Sequence, residues 1–332
     1  MSLSSDKQVT FVVQGPIYPA GRLSTQRCLL SARQHFPDSR IVLSTWPDSD
    51  VTGLVYDQLV ISQDPGPIVS ERDKLRLPNN LNRQIVATQA GLAEVTTEFS
   101  VKLRTDAYVT GRGFLKFFDA FPFRSDKYSL FDQRLIIPKE FTRSARSFVP
   151  LAYHPSDLFQ FGLTTDLKRY WNTDPLKGEA LAAFQLPDPP VLWYKMFDSF
   201  RYTTEQYLFL AFLQREGHSI DLRDYGDVSG AVPELSEAYI FNNFLPVEAE
   251  LLGVRHPKFA RRAHRSLLND CSGIREFTSW YVAELAGAVS PAPLGSSAPD
   301  LTRRLRLERV AREYLKRIPV LKQLYAKRYL AR

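Results

Sequence analysis

The sequence predicts an α/β fold in which a mostly parallel sheet is flanked by helices. Between residues 8 and 111, short apolar runs with strand character alternate with longer stretches of helical periodicity. This alternation is typical of chains in which each helix connects two parallel strands. The chain has 332 residues, 44% of them hydrophobic, so it can bury the core that a large domain of this class needs.

The predicted elements follow one another closely in the first half of the chain. The strands are QVTFVVQG (8–15), RIVLSTW (40–46), QLVIS (58–62) and FSVKLRTDAYVTG (99–111), and the helices cover about 24–35 and 79–95. The last of these strands leads to a single acid, Asp106. Ligands bind at the carboxyl ends of the strands in parallel α/β sheets, so Asp106 is the first candidate site residue.

The second half of the chain is less regular. The expected elements are a helix in FLKFFDAF (114–121), a strand in KYSLFDQRLIIP (127–138) and irregular structure over 149–171. The clearest pattern covers 203–217, a helix that Thr203 or Thr204 can cap and that Gly217 can end.

A stretch rich in proline and serine separates the body of the chain from a basic tail. Residues 290–300 (SPAPLGSSAPD) have linker composition, which predicts a domain over 1–289 and an appendage over 301–332. The appendage holds eleven Lys and Arg and two acids, a net charge of +9, whereas the whole chain carries +7, so the rest carries −2. A basic groove across the body is not supported, which argues against nucleic acid as a partner.

The tail has the pattern of a basic amphipathic helix. Apolar residues recur at helical spacing from Leu307 to Tyr325 with Lys and Arg between them, and Pro319 should split the element in two. Such a helix can lie on an anionic membrane surface as a peripheral anchor. Alternatively, its apolar face packs on the protein's own core or on a partner subunit.

Cysteine content and hydropathy favour the cytosol. Cys28 and Cys271 are far apart, which argues against a disulfide scaffold or a zinc module. No apolar run approaches the roughly 18 to 20 residues of a membrane span, and the start MSLSSDKQ lacks the features of a signal peptide. We therefore expect a cytoplasmic protein.

Six short motifs of the chain resemble a known family. They are VVQGPI, CLLSARQHFP, IVLSTW, NNLNRQ, VKLRTD and HPSDLFQFGL. As a set they are similar to the WavE family of bacterial lipopolysaccharide-synthesis proteins, over roughly residues 8–250. The order of strand and helix signals from Gln8 to Gly111 also resembles glycosyltransferases of the GT-A fold.

The resemblance implies a division of labour within the domain. A part over about 8–145 would bind a nucleotide-sugar donor, and a part over about 146–289 would bind the acceptor. The implied acceptor is a lipopolysaccharide or another lipid-linked surface glycan. Such an acceptor fits an enzyme that lies on the inner face of the cytoplasmic membrane through its basic tail.

Candidate donor-binding residues lie at strand ends and at a helix start. Gln14 and Gly15 end the first strand in a turn, where glycine permits a close approach of the backbone to a ligand. The remaining candidates are Thr45 and Trp46 after the second strand, and Asn82 and Arg83 at the start of an amide-rich helix. A helix N-terminus favours anions, which suits a phosphate-bearing donor. Plain turns and helix caps explain several of these residues equally well.

The chain departs from the metal-binding Asp-x-Asp motif that the GT-A resemblance implies. Arg104 occupies the position of the first acid, which leaves Asp106 as the one matching carboxylate. Two hypotheses follow: Asp106 still helps to hold Mn²⁺ or Mg²⁺, or Arg104 partly replaces the cation with its own charge. A surface salt bridge at a strand end is the structural alternative.

Two acids are candidates for the base that removes a proton from the acceptor hydroxyl. Asp157 lies in HPSDLFQFG beside His154, and Glu205 lies at the start of the helix over 203–217. Many inverting GT-A enzymes have a Glu-Asp pair at such a helix start, but here Gln206 occupies the second position. A turn at Asp157 and a favourable charge–dipole interaction at Glu205 are the structural alternatives.

The sequence favours a glycosyltransferase that acts by direct displacement, with inversion expected, although no residue excludes retention. A sugar nucleotidyltransferase is a second enzyme hypothesis, although no glycine-rich basic loop follows the first strand. A non-enzymatic basic interaction protein is the third, and the net charge of the body argues against it.

Overall fold

The computed structural model describes residues 8–19, 21, 23–72, 75–186, 200–257 and 270–286. The predicted linker over 290–300 and the basic tail over 301–332 lie outside the described residues. In the described part, no helix combines the length and the apolar character that crossing a membrane requires.

The described residues alternate between strands and helices along the chain. The strands are β1 (Val9–Gln14), β2 (Arg40–Thr45), β3 (Gln58–Ile61), β4 (Ile68–Arg72), β5 (Leu75–Asn79), β6 (Phe99–Arg104), β7 (Tyr108–Val109), β8 (Leu135–Pro138), β9 (Phe159–Leu163), β10 (Phe244–Val247) and β11 (Val254–Arg255). The α-helices are α1 (Thr25–His35), α2 (Leu81–Ala93), α3 (Thr164–Trp171), α4 (Gly178–Phe184), α5 (Thr204–Arg215), α6 (Val232–Asn243), α7 (Ala249–Leu252) and α8 (Ile274–Tyr281). A 3₁₀ helix covers Gly113–Phe117, and a π-helix covers Val282–Ala286.

A seven-stranded sheet forms the centre of the molecule, with the strand order β10-β8-β9-β6-β1-β2-β3. Neighbouring strands are parallel, except that β9 runs antiparallel to both β6 and β8. Two small antiparallel sheets, β4 with β5 and β7 with β11, lie outside it. The predicted α/β class with a mostly parallel sheet is therefore confirmed.

The central strands are buried on both faces, which explains their continuous apolar sequences. All six residues of β1 are buried between β2 and β6. Helix α2 packs closely on this part of the sheet because Gly91 has no side chain. A Cβ at Gly91 would lie 2.4 Å from Cγ1 of Val12. This close packing places the start of α2 beside the ends of β1 and β2.

Three segments of the second half differ from the sequence-based expectation. Residues 149–171, expected to be irregular, contain β9 and α3, and β9 is an interior strand of the sheet. The strand expected over 127–138 is shorter because the N–H groups of Leu130 and Phe131 donate to the side chain of Asn243 instead of to a neighbouring strand. The helix expected over 114–121 is the short 3₁₀ helix.

The carboxyl ends of β1, β2, β3, β6, β8 and β10 meet at one edge of the sheet, which we call the carboxyl edge. Because β9 runs in the opposite direction, the residues that precede it reach the same edge. The sequence segments that carry the candidate residues therefore converge on one side of the molecule.

Candidate functional site

The connections of β1 and β6 create a switch point in the sheet. From β1 the chain passes through α1 to β2 on one side, whereas β6 pairs with β1 on the other side. Ligands of open α/β sheets bind in the crevice outside the carboxyl ends of strands at such a point. Here Gln14 of β1 lies opposite Arg104 of β6 in the strand register.

A cavity of about 260 Å³ opens at this crevice, and we call it the switch-point cavity. Its lining includes five of the candidate residues that were predicted from the sequence, namely Gln14, Gly15, Trp46, Arg83 and Arg104. It also includes residues that the sequence had not selected, namely Pro16, Tyr18, Asp64, Asn80, Gln84 and Thr105. The cavity wall is mainly polar and carries two arginines.

Gly15 forms the turn that ends β1. Its φ of +125° lies in a region that favours glycine. The N–H of Gly15 donates to the carbonyl of Ser44, and the N–H of Thr105 donates to the carbonyl of Gln14, each at 3.1 Å. A Cβ on Gly15 would lie 3.1 Å from the hydroxyl oxygen of Thr105. Glycine therefore keeps the backbone of β1 open to a ligand.

Arg104 and Asp106 form a bidentate ion pair at the cavity. Nε and Nη2 of Arg104 donate to the two carboxylate oxygens of Asp106 at 2.9 and 3.0 Å. The side chain of Asp106 is 1% exposed and that of Arg104 is 25% exposed. Burial acts to lower the pKa of Arg104, but the charge and hydrogen bonds of Asp106 outweigh it and raise the pKa. The result is a fixed guanidinium, always charged, in the cavity wall.

Arg83 supplies the second guanidinium of the cavity. Its Nε and Nη2 donate to the carboxylate of Asp64 at 2.8 and 2.6 Å, and its Nη1 donates to the amide oxygen of Asn80 at 3.3 Å. Hydrogen bonding to Asp64 raises the pKa of Arg83. Arg83 lies in the first turn of α2, where the N–H groups of the helix end also favour an anion.

The other donor candidates separate into a cavity residue and two interior residues. Trp46 follows β2 and lines the cavity. Thr45 is buried, and its hydroxyl lies 2.9 Å from that of Ser49. Asn82 is buried on α2, where its side-chain amide bonds the N–H and the carbonyl of Leu176 at 2.7 and 3.0 Å. The side chains of Thr45 and Asn82 thus form hydrogen bonds within the protein and do not line the cavity.

A second group of ionisable side chains lies beside the start of β9. Lys102 precedes Arg104 by two residues on the same face of β6, and it is fully buried. Its ammonium donates to the carbonyl of Asp157 and lies 4.7 Å from the ring centre of Trp171. Burial lowers the pKa of Lys102 to about 8, against the opposing effects of Asp157 and Glu205. Lys102 therefore interacts electrostatically with Arg104 and with both base candidates.

The two base candidates differ in their exposure. Asp157 is 1% exposed, and its Oδ2 accepts no hydrogen bond from the part of the chain that the structure describes. Glu205 retains 15% exposure, and its Oε2 lies 3.5 Å from Nε2 of His154. Nδ1 of His154 lies 2.9 Å from the carbonyl oxygen of Phe141, so Nδ1 carries a hydrogen. Solvent reaches Glu205, whereas Asp157 lies in the interior.

Gln206 has a structural task at the start of α5. With Thr203 it forms a capping box, which confirms the predicted cap of this helix. Its side-chain nitrogen also donates to the carbonyls of Ala152 and Tyr225 at 2.8 and 3.0 Å. The amide therefore ties the segment that precedes His154 to the helix that carries Glu205.

Several site residues gave little signal in the sequence. Lys102 was recognisable as a charged residue inside an apolar strand, but its burial depends on β9 and α3. Asp64 and Tyr18 lie in irregular segments and reach the cavity only through the fold. Burial and Asp106 raise the pKa of Tyr18, so its phenol remains a hydrogen-bond donor at the cavity.

The residues around Asp106 do not fit a divalent cation. Both carboxylate oxygens of Asp106 accept hydrogen bonds from Arg104. Nε2 of His256 lies 3.9 Å from Oδ1 of Asp106 and is a further possible ligand. Among the described residues, no group of three or more His, Cys, Asp or Glu is arranged to hold a metal ion.

The fold and the site define a class of protein: a Rossmann-like α/β protein with a polar, arginine-lined cavity at the switch point of its sheet. The family model described as WavE lipopolysaccharide synthesis matches residues 9–294. The chain therefore belongs to the WavE family, and this membership implies involvement in lipopolysaccharide synthesis. None of the curated proteins compared with the chain matches it.

Proposed function

We propose that the protein is a glycosyltransferase that moves a sugar from a nucleotide donor to a lipopolysaccharide or related surface-glycan acceptor. The observation that carries this proposal is the switch-point cavity, where two guanidiniums and a helix N-terminus converge. Phosphate is the common ligand of such an arrangement because planar guanidiniums match its oxygens and helix N–H groups point at it.

The donor would occupy the switch-point cavity. Its phosphates would contact Arg83 and Arg104, and its base would lie against Trp46, whose ring offers an apolar face. The backbone at Gly15 would approach the phosphates closely because no side chain intervenes. Tyr18 would donate a hydrogen bond to a sugar or phosphate oxygen.

The acceptor would bind toward β8 and β9, where the acidic candidates lie. Glu205 is the proposed base because its carboxylate is partly exposed and is paired with His154. It would take the proton of the attacking hydroxyl as the oxygen bonds to the sugar carbon. Asp157 and Lys102 are both buried, and their opposite charges would compensate each other in the interior.

The tail over 301–332 is proposed to hold the protein on an anionic membrane, where a lipid-linked acceptor would be found. A chain that ends near residue 290 is expected to bind anionic vesicles more weakly than the full chain. Equal binding by both chains would contradict this anchor.

A nucleotide screen tests the proposed donor site. Wild-type protein is heated with UDP, GDP, dTDP, CMP or their sugar derivatives in buffer that contains Mg²⁺ and Mn²⁺. We expect one nucleotide to raise the melting temperature, because a ligand that binds only the folded state stabilises it. The variant Arg83→Gln should show a smaller shift with that nucleotide.

The matched control is Arg146→Gln. Arg146 also forms two ion pairs, with Glu234 and Glu237 at 2.8 and 2.9 Å, but its side chain is 49% exposed and does not line the cavity. This variant should respond to the nucleotide as the wild type does. The absence of a shift with every nucleotide would overturn the proposed function.

A further inference from the structure

We propose that Arg104, held in place by Asp106, takes the role of a divalent cation, so that the nucleotide phosphate binds and departs without a metal ion. This inference rests on the proposed function, in which the switch-point cavity holds a nucleotide-sugar. It assigns Arg104 to contact the leaving group and makes Asp106 a positioning residue.

The geometry of the ion pair prevents Asp106 from acting as an open metal ligand. Its two oxygens already accept hydrogen bonds from Nε and Nη2 of Arg104, and its side chain is 1% exposed. A cation would have to displace this bidentate pair and leave a guanidinium beside it. Removing one partner of a buried ion pair is strongly unfavourable, because the remaining charge loses its compensation.

The same geometry leaves one edge of the guanidinium available. Among the described residues, Nη1 of Arg104 makes no hydrogen bond, whereas Nε and Nη2 are used by Asp106. The Arg104 side chain is 25% exposed and lines the cavity. Asp106 therefore fixes the plane of the guanidinium from behind, and Nη1 can donate to a phosphate oxygen in front.

The arrangement of charge also resembles that of a metal site. A divalent cation held by two carboxylates has no net charge, yet it presents a positive pole to the phosphate. The Arg104 and Asp106 pair is likewise neutral, with the carboxylate buried and the cation facing the cavity. Arg83, paired with Asp64, adds a second guanidinium to the same cavity, although Asp64 is itself 28% exposed and also lines the cavity. Two guanidiniums thus replace one dication.

The transfer step is complete without a metal. The acceptor hydroxyl oxygen forms a bond to the anomeric carbon of the donor sugar, and its proton passes to Glu205. The bond between that carbon and the phosphate oxygen breaks, and the electron pair leaves with the nucleotide. Arg104 and Arg83 donate hydrogen bonds to the oxygens on which this charge develops.

Binding measurements with and without metal test the inference. Titration calorimetry gives the Kd of wild-type protein for UDP, GDP, dTDP and CMP in excess EDTA and in excess MnCl₂. We expect at least one nucleotide to bind, with a Kd that is the same within about twofold in both buffers. Binding that requires MnCl₂ would overturn the inference and leave the proposed function intact. No binding in either buffer would overturn both.

Substitutions at position 104 separate a ligand contact from a structural role. Arg104→Gln should weaken nucleotide binding about tenfold or more in both buffers, and MnCl₂ should not restore it. Arg104→Asp, which places a second acid beside Asp106, should lose binding in EDTA and regain part of it in MnCl₂. A merely structural arginine would show neither the loss nor the new metal dependence.

A double variant separates the loss of nucleotide binding from a loss of folding. Arg104→Gln alone leaves the buried Asp106 without its main partner, so the variant Arg104→Gln/Asp106→Asn is made alongside. If circular dichroism shows that the double variant is folded, its nucleotide affinity should still be reduced about tenfold. Affinity at the wild-type level in this folded double variant would overturn the assignment.

Discussion

The two halves of the carboxyl edge differ in the ionisable side chains that they present. On the side of β1, β2 and β6, the switch-point cavity is lined by the guanidiniums of Arg83 and Arg104, which pair with Asp64 and the buried Asp106. Toward β8, β9 and β10, several acids lie near the same edge: Glu140 and Glu248 follow β8 and β10, Asp157 precedes β9, and Glu205 lies at the start of α5.

Under the proposed function, this difference would separate two chemical tasks within one sheet. Cations can compensate the charge of a phosphate, and carboxylates can accept a proton or hydrogen-bond to sugar hydroxyls. Lys102 lies at the boundary between the two sides. Its pKa is affected by Arg104 and Asp106 on one side and by Asp157 and Glu205 on the other. The contrast predicts that substitutions on the two sides affect different steps of the reaction.

The largest effect is expected from Glu205→Gln on the acidic side. The amide keeps the shape of the side chain but cannot accept the acceptor proton, so kcat should fall about 100-fold or more. The affinity for the nucleotide should stay unchanged, because the cationic side is intact. Transfer of labelled sugar to lipopolysaccharide measures kcat, and calorimetry measures the affinity.

Glu216→Gln is the matched control for this experiment. Glu216 follows the other end of the same helix and pairs with Arg169 at 2.7 Å, away from the candidate site residues. This variant should retain activity. Near-normal kcat in Glu205→Gln together with a severe loss in Asp157→Asn would reverse the assignment of the base.

A second, smaller effect concerns the boundary residue Lys102. Burial lowers its pKa from 10.5 to about 8 in the folded state. Between these values the unfolded chain binds the proton and the folded chain does not, so wild-type stability should rise with pH in this window. The stability of Lys102→Met relative to wild type should therefore fall by about 3 kcal/mol between pH 8 and 10.5.

Urea unfolding at several pH values checks this prediction. Lys168→Met is the control, because the Lys168 ammonium also donates to a backbone carbonyl, that of Val95 at 2.8 Å, but its side chain is exposed. Comparison with the Lys168 variant separates the effect of burying an ammonium from the loss of a lysine side chain. A constant difference between Lys102→Met and wild type would show that burial does not lower the pKa of Lys102.

The smallest effect is expected at Glu140, where the sign of the pH dependence is the opposite. Burial raises the pKa of Glu140 from 4.5 to about 7, and Glu250 and Glu248 add to this while Lys139 opposes it. Wild-type stability should therefore fall between pH 4.5 and 7, because the folded state keeps the proton longer. Glu140→Gln should gain about 2 kcal/mol relative to wild type by pH 6.

Thermal or urea unfolding at pH 4 and pH 6 measures this gain. Glu234→Gln is a suitable control, since Glu234 forms an ion pair with Arg146 on the surface. A gain that is equal at both pH values would mean that Glu140 is not protonated in the folded state.

Much of the first half of the fold was predictable because its strands are covered on both faces. The runs at 8–15, 40–46 and 58–62 became β1, β2 and β3, with boundaries that differ by a residue or two. The run at 99–111 became β6, which ends at Arg104, and the separate short strand β7. The second half was harder. β9 is a five-residue strand whose place between β6 and β8 depends on antiparallel pairing with distant segments.

The candidate site was predictable to the extent that it lies at strand ends. Gln14, Gly15, Trp46, Arg83 and Arg104 were selected on that basis, and they line one cavity. Asn82 and Thr45 were selected by the same reasoning, but their side chains bond neighbouring structure. The sequence shows on which element a residue lies. It does not show whether the side chain faces the cavity or forms hydrogen bonds with neighbouring residues.

The sequence by itself determined the α/β class, the family and the presence of an arginine, Arg104, two residues before Asp106, because periodicity and residue identity are local properties of the chain. The tertiary structure alone decided that Arg104 occupies both oxygens of Asp106, that Lys102 is buried between cationic and acidic groups, and that Asp64 and Tyr18 reach the cavity. These features depend on burial and on contacts between segments far apart in the chain, and burial is what sets the strength of charge interactions.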